Sequence, residues 1–225
     1  MMMELAHLEQ SLLTNPAPRC PCMLLLDTSG SMQGRPIAEL GDGVGQFIAE
    51  LQGDDVAASS VELGIISFGG QVQELQPLTS VAEFDSRPAL VADGVTPLGE
   101  AIALGIERLA QRKQAYQQAG VSYYQPWMVI MSDGVPTDSD WPVRAAELKA
   151  LAQAKKMVVL CVAIGADADI GELSRCALLP PKRLAGLRFT EFFLWLSQSM
   201  QRVSASIPGD KVQLPATTGW DSIDV

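Results

Sequence analysis

The sequence predicts an α/β protein: a doubly wound, mostly parallel sheet with one antiparallel edge strand and helices on both faces. Three observations carry this expectation. Apolar runs alternate along the chain with stretches whose apolar residues recur every three or four positions. Most of those runs are continuous, without the in–out alternation of a half-exposed sheet, as expected of strands covered on both faces. One run is followed by Gly69-Gly70 and a polar extended segment, the signature of a hairpin to an edge strand. Strands separated by helices require crossovers, and crossovers place helices over both faces of the sheet in a Rossmann-like arrangement.

Taken in order, CMLLLD (residues 22–27) is the first buried strand. Ile37, Leu40, Val44, Phe47, Ile48 and Leu51 then form one helical stripe. Gly41, Gly43 and Gly45 weaken this helix, each by about 1 kcal/mol relative to Ala, and are read as permitting close packing. VELGIISFGG (61–70) is the next strand, and QVQELQPLTS (71–80) returns as the polar edge. Leu98, Ile102, Gly105, Ile106 and Leu109 mark a second helix, entered with Thr96 as N-cap and Pro97 at the first helical position.

WMVIMSD (127–133) is a further buried strand. A helix follows from Asp140 or Trp141 to Lys155, with Pro142 in its first turn and lysines at its end to suit the dipole. Ser139 or Asp140 is the expected cap of that helix. MVVLCVAIG (157–165) is a buried strand, and TEFFLWLSQSMQRVSAS (190–206) a last helix with Phe192, Leu196, Met200 and Val203 on one face. No internal repeat is present. Residues 1–19 are expected to form an N-terminal leader and 20–206 the domain. Residues 207–225 make a Pro/Gly/Thr-rich tail, either extended over the domain or mobile.

The chain has 225 residues, 48% of them hydrophobic and 19% charged, which supplies a sizeable core and excludes wholesale disorder. A net charge of −10 argues against nucleic acid as a partner, because such binding runs on Lys and Arg. No secretory signal and no apolar run long enough to span a membrane is evident, so a cytoplasmic location is expected. Cys20, Cys22, Cys161 and Cys176 match no common zinc spacing. Cys161 lies within a buried strand, while Cys20-Pro-Cys22 reads either as a redox or metal pair or as two reduced thiols opening a strand. His7 has no second ligand near it in sequence and reads as an ordinary solvated residue.

In such a fold, functional groups gather on the loops at the carboxyl ends of the strands. Three of these loops carry oxygen: Asp27-Thr28-Ser29-Gly30-Ser31, Gly94-Val95-Thr96-Pro97 and Ser132-Asp133-Gly134. Two acids and three hydroxyls are hard ligands that suit Mg²⁺, and Mn²⁺ accepts the same set. Hydroxyl ligands leave the ion less neutralised than a cage of carboxylates, so an incoming carboxylate could take an open position. Each piece also has an ordinary explanation. Asp-x-Ser-x-Ser fits a polar turn, Thr96 an N-cap, and Asp133-Gly134 a common turn pair. Asp138 and Asp140 lie near Asp133 in sequence but are weaker candidates for contact with the site.

Together, Asp27-x-Ser29-x-Ser31 after an apolar strand, Thr96 before a helix and Asp133-Gly134 at a later strand end resemble the von Willebrand factor A domain, over roughly residues 20–206. Residue by residue, the family's metal-ion-dependent adhesion site maps onto Asp27, Ser29, Ser31, Thr96 and Asp133. The resemblance implies that the serines and the threonine meet a Mg²⁺ ion, that the aspartates act partly through water, and that an acidic residue of a protein partner completes the site. The wording LLLDTSGSM, TPLGEAI and MSDGVPTD looks closest to small stand-alone bacterial members associated with tellurium resistance and chemical stress. That implies a cytosolic interaction module alongside a kinase-like protein and a phosphatase.

An enzyme is the alternative from another class, and the residues do not favour it. A phosphatase using a strand-end aspartyl nucleophile usually carries a general acid two residues later, where this chain has Ser29. No Gly-x-Ser-x-Gly elbow surrounds Ser29 or Ser31, and the single histidine leaves no second candidate for a triad base. There is no phosphate loop either; Gly41-Asp42-Gly43-Val44-Gly45 falls inside a helical pattern, and its acid would repel phosphate. A third reading is a structural docking subunit in which the metal only stabilises.

Overall fold

A computed structural model describes residues 15–133, 135–165, 168–184 and 188–217. The leader up to residue 14, with His7, and the tail beyond residue 217 lie outside these. Six strands form one sheet in the order β3-β2-β1-β4-β5-β6. They are β1 (Cys20–Asp27), β2 (Val61–Gly69), β3 (Gln71–Ser80), β4 (Trp127–Ser132), β5 (Val158–Ile164) and β6 (Lys182–Leu184). All neighbours are parallel except β2 and β3. The mostly parallel sheet with one antiparallel edge is the architecture the apolar runs imply. β6, three residues long, has no apolar run of its own and is not legible in the sequence.

The helices are α1 (Arg35–Gln52), α2 (Asp55–Ser60), α3 (Leu98–Ala119), α4 (Trp141–Gln153), α5 (Ile170–Leu173) and α6 (Phe189–Ser204). The short α2 and α5 have too few turns to show a stripe, and the sequence reading does not include them. Strand residues divide by parity between two cores. Cys22, Leu24 and Leu26 of β1 face α1 and α6, whereas Met23 and Leu25 face α3 and α4. Burial on both faces explains why these strands read as continuous apolar runs.

The α1 glycines face two different neighbours, Gly43 the α6 rings and Gly41 and Gly45 the side chain of Arg87. A Cβ at Gly43 would stand 2.6 Å from the ring of Phe193 on α6, with Phe189 Cβ at 3.1 Å. A Cβ at Gly41 would meet the Arg87 guanidinium at 3.3 Å, the end of a flexible side chain that pairs with Asp42 at 2.6 Å, and Leu90 Cδ1 at an ordinary 4.0 Å. Overpacking costs about 1–3 kcal/mol, and replacing a helical Gly with Ala returns about 1 kcal/mol. Gly43→Ala is therefore expected to lower stability in urea unfolding, and Gly41→Ala to leave it equal or higher. If both variants shift the midpoint the same way, the packing account is wrong.

At the amino end of the sheet Glu62 on β2 is enclosed by three buried partners. It accepts from Arg112 Nε, from the Tyr116 hydroxyl at 2.5 Å, and stands 3.4 Å from Arg19 Nε. Arg19, 2% exposed, also donates to the carbonyls of Ser59 and Asn15. The packed body thus extends ahead of β1.

Of the two expected states of the tail, its described part is extended over the domain. Val212 and Leu214 pack against the core. The Trp195 indole donates to the Pro215 carbonyl at 2.8 Å, and Arg202 to that of Gln213 at 3.1 Å. Among the described residues no helix is long and apolar enough to cross a membrane.

Candidate metal centre

The strand order reverses between β1 and β4, and in open α/β sheets ligands bind at such a switch point, beyond the carboxyl ends of the strands. Leu26 pairs with Met131, so the next residues, Asp27 and Ser132, emerge side by side. The chain after Asp27 turns through a short 3₁₀ segment, Gly30–Met32, anchored by buried Met32. This turn sets the Ser29 and Ser31 hydroxyls 3.0 Å apart. The Ser31 hydroxyl donates to Asp133 Oδ1 at 2.8 Å across the switch point. Four of the five expected residues therefore converge: Asp27, Ser29, Ser31 and Asp133.

Asp27 is wholly buried, and both of its oxygens accept hydrogen bonds. Oδ1 takes the Ser29 N–H at 2.9 Å and Oδ2 the Ser132 hydroxyl at 2.5 Å. Burial raises its pKa and the Asp133 charge adds to that, against the lowering effect of bonds from Ser132 and Ser29. Asp133 is raised as well, chiefly by burial, with the Ser31 hydroxyl working against it. Neither carboxylate has a Lys, Arg or His partner among the described residues. Desolvated negative charge without a cation, next to hydroxyl oxygens, is a donor set that fits a hard divalent ion. Among the described residues no three His, Cys, Asp or Glu side chains form a possible metal cluster. An ion here would rely on the hydroxyls as much as on the two acids.

Thr96 sits on the adjoining loop, 5% exposed, and no hydrogen bond links its side chain to the other four. Its loop is fastened to theirs by backbone contacts, Gly30 N–H to Gly94 carbonyl at 2.9 Å and Asp93 N–H to Thr28 carbonyl at 2.8 Å. Gly94, at φ +69°, passes so close to Gly70 that a Cβ would lie 2.5 Å from the Gly70 Cα. Only glycine satisfies both demands.

The structure corrects two capping expectations. Thr96 is not the cap of α3, which begins at Leu98 with Pro97 at the cap position and no side-chain capping bond. The α3 amides are instead served from the β4–α4 loop, where Asp138 Oδ2 accepts the Glu100 N–H at 3.0 Å. Capping therefore no longer accounts for Thr96. Asp140 stands at the cap position of α4, but its carboxylate makes no capping bond and takes Arg144 instead.

Two supporting residues have no assigned role in the sequence reading. Ser132 holds Asp27, and its place beside Asp27 follows only once β1 and β4 are known to pair. Thr137 clamps the Thr96 backbone through two bonds, Thr96 N–H to Thr137 Oγ1 at 3.1 Å and Thr137 N–H to Thr96 carbonyl at 3.0 Å; no local pattern marks it.

A cavity of about 520 Å³ lies on the β2–β3 side, lined by Thr28, Ser67, Gln71, Gln73 and Asp93 among others. None of the five site residues lines it. The oxygen cluster instead grades from buried Asp27 to exposed Ser31, so it opens directly onto the surface.

The model of the von Willebrand factor type A domain matches residues 23–193. No curated protein matches the chain. Solved structures share the fold at low identity. The ArnB paralog VWA2 from Sulfolobus acidocaldarius is 14% identical with a TM-score of 0.58, over 81% of this chain and 45% of that one. A von Willebrand factor type A protein from Catenulispora acidiphila is 16% identical with a TM-score of 0.59, over 82% and 43%. Proximal thread matrix protein 1 from the mussel byssus, described with a zinc-occupied MIDAS motif, is 15% identical with a TM-score of 0.55, over 82% and 48%. This chain spans less than half the length of each of these three. With the family model covering most of its length, the chain belongs to the von Willebrand factor type A domain family.

Proposed function

We propose that this chain is a metal-dependent protein-interaction module that captures an acidic side chain. The observation that carries the reading is the convergence of Ser29, Ser31 and Asp133 at hydrogen-bond distance beside buried Asp27, at the β1/β4 switch point. Asp27, Ser29, Ser31, Thr96 and Asp133 would hold Mg²⁺, with Mn²⁺ as an equivalent. The bound ion supplies Lewis acidity and an open position for a carboxylate. Asp27 fixes the Ser29 turn, Ser31 and Asp133 bridge the two loops, and Thr137 and Asp138 hold the Thr96 loop in place. Val95, next to Thr96 in the chain, and Val135, two residues after Asp133, are 57% and 56% exposed and are the apolar groups we propose for the rim of the mouth. Apolar groups around a central polar anchor exclude water from it, as in protein interfaces.

Catalysis is not part of this proposal: position 29, where an aspartyl nucleophile at Asp27 would need its general acid, holds a serine. The setting we propose is a cytoplasmic stress-response scaffold, with a kinase-like protein and a phosphatase as candidate partners. The wording of the three loops supports that setting. The test is capture of protein from a native lysate in Mg²⁺, Mn²⁺ or Zn²⁺. Elution by EDTA, competition by an Asp-containing peptide but not by its Asn counterpart, and loss of capture with Asp27→Ala are expected. Capture that persists in EDTA and in the variant would overturn the mechanism.

A further inference from the structure

The metal site leaves all four cysteines unused, and the fold brings two of them into contact. Cys161 lies in β5 and faces the α3–α4 side of the sheet, and Cys176 follows α5 by three residues. Both are buried, with their sulfurs 3.1 Å apart. The Cys176 thiol donates to the Leu173 carbonyl at 3.0 Å, so its single proton is committed there. The Cys161 thiol is then the donor to the Cys176 sulfur.

The geometry points to Cys161 and Cys176 as a disulfide-forming modification site that ties β5 to the segment behind α5. A disulfide is about 2.05 Å long, so closure needs a movement of roughly 0.5 Å by each sulfur. Cys20 and Cys22 are the internal control. They occupy alternate positions of one strand, about 6.6 Å apart at Cα, with side chains parallel and not converging. The described contact of the Cys20 sulfur is Met200 Sδ at 3.9 Å.

The oxidant is a hydroperoxide. One thiol gives up its proton on opening and its thiolate attacks the peroxide, breaking the O–O bond; the departing hydroxide takes up that proton as one water, and a sulfenic acid remains. The other sulfur then attacks the sulfenic sulfur, the S–S bond forms, and hydroxide leaves and is protonated to a second water. Two thiols are oxidised by two electrons, and one hydrogen peroxide is reduced to two waters. α5 is one turn long and buries a single side chain, Leu173, so a local opening admits the oxidant without unfolding the domain. The closed ring would include Glu172, which accepts the Trp141 indole N–H at 2.6 Å and so supports the start of α4.

The test is peptide mapping of the full chain under non-reducing conditions after stoichiometric hydrogen peroxide, with melting of the same sample before and after dithiothreitol. A Cys161–Cys176 linked peptide lacking two hydrogens is expected, with Cys20 and Cys22 still free. The oxidised chain should melt roughly 5–10 °C above the reduced one, and Cys176→Ala should show neither change. Four free thiols, a link involving Cys20 or Cys22, or sulfinic acid at Cys161 or Cys176 would overturn the assignment. The wild-type map decides the matter even if the variant does not fold.

Discussion

Mg²⁺ at about one hundred times its dissociation constant is expected to raise the melting temperature of the wild-type chain by roughly 5–10 °C. Binding to the folded state at that excess is worth about 2.7 kcal/mol, and for a chain of this size 1 kcal/mol corresponds to roughly 2–4 °C. Asp27→Asn should lose this response and yet be no less stable than wild type in EDTA. The amide oxygen keeps the bond from the Ser29 N–H, the amide NH2 can donate to the Ser132 hydroxyl, which turns from donor to acceptor, and the change removes a desolvated charge facing Asp133.

The pH dependence follows from the same two groups. Burial raises Asp27 and Asp133 from the ordinary carboxylate value, so the metal-free folded state holds their protons more tightly than the unfolded chain does. That contribution is fully present below the ordinary carboxylate value and disappears as pH rises through the raised ones. Protons compete with the ion, so the Mg²⁺ shift should shrink as the pH falls through that window. A Mg²⁺ shift of equal size in Asp27→Asn, or none in wild type, sinks the assignment of the site.

Glu62→Ala is expected to lower stability by about 3–5 kcal/mol, the usual cost of leaving a buried charge without its partner. The carboxylate is the shared acceptor for Arg112 and Tyr116 and the ionic partner of Arg19. Arg112 and Tyr116 are 6% and 0% exposed, so water cannot stand in for it. Guanidinium stays charged under all ordinary conditions. The damage should therefore be relieved by a second change that removes a charge. Glu62→Met with Arg112→Met should be less destabilised than the sum of the two single variants in thermal or urea unfolding. Simple additivity of the two changes would show that the ion pair is not the source of the cost. Because the network lies at the amino end of the sheet, away from the metal loops, Mg²⁺ should still stabilise the Glu62→Ala chain while it remains folded.

Local chemistry made much of this protein legible. Continuous apolar runs announced strands buried on both faces, and the parity split of β1 between two cores is the reason they carry no alternation. Gly69-Gly70 marked the hairpin to the antiparallel edge, and Asp27, Ser29, Ser31 and Asp133 stood out as oxygen at strand ends. β6, α2 and α5 were not legible, because elements of three to six residues are too short to impose a period.

Tertiary structure decided the rest. A helix amide can be capped by whichever carboxylate reaches it, and here Asp138 reaches α3 from a loop 38 residues away, leaving the Thr96 side chain without that role. Ser132 becomes a support of Asp27 only because β1 and β4 are neighbours in register. Thr137 becomes a clamp on Thr96, and Glu62 the centre of an ionic network, for the same reason. Sequence spacing determines which groups a strand or turn presents, since backbone geometry is local. Which presented groups meet is set by strand order and register, and these depend on how the whole chain packs.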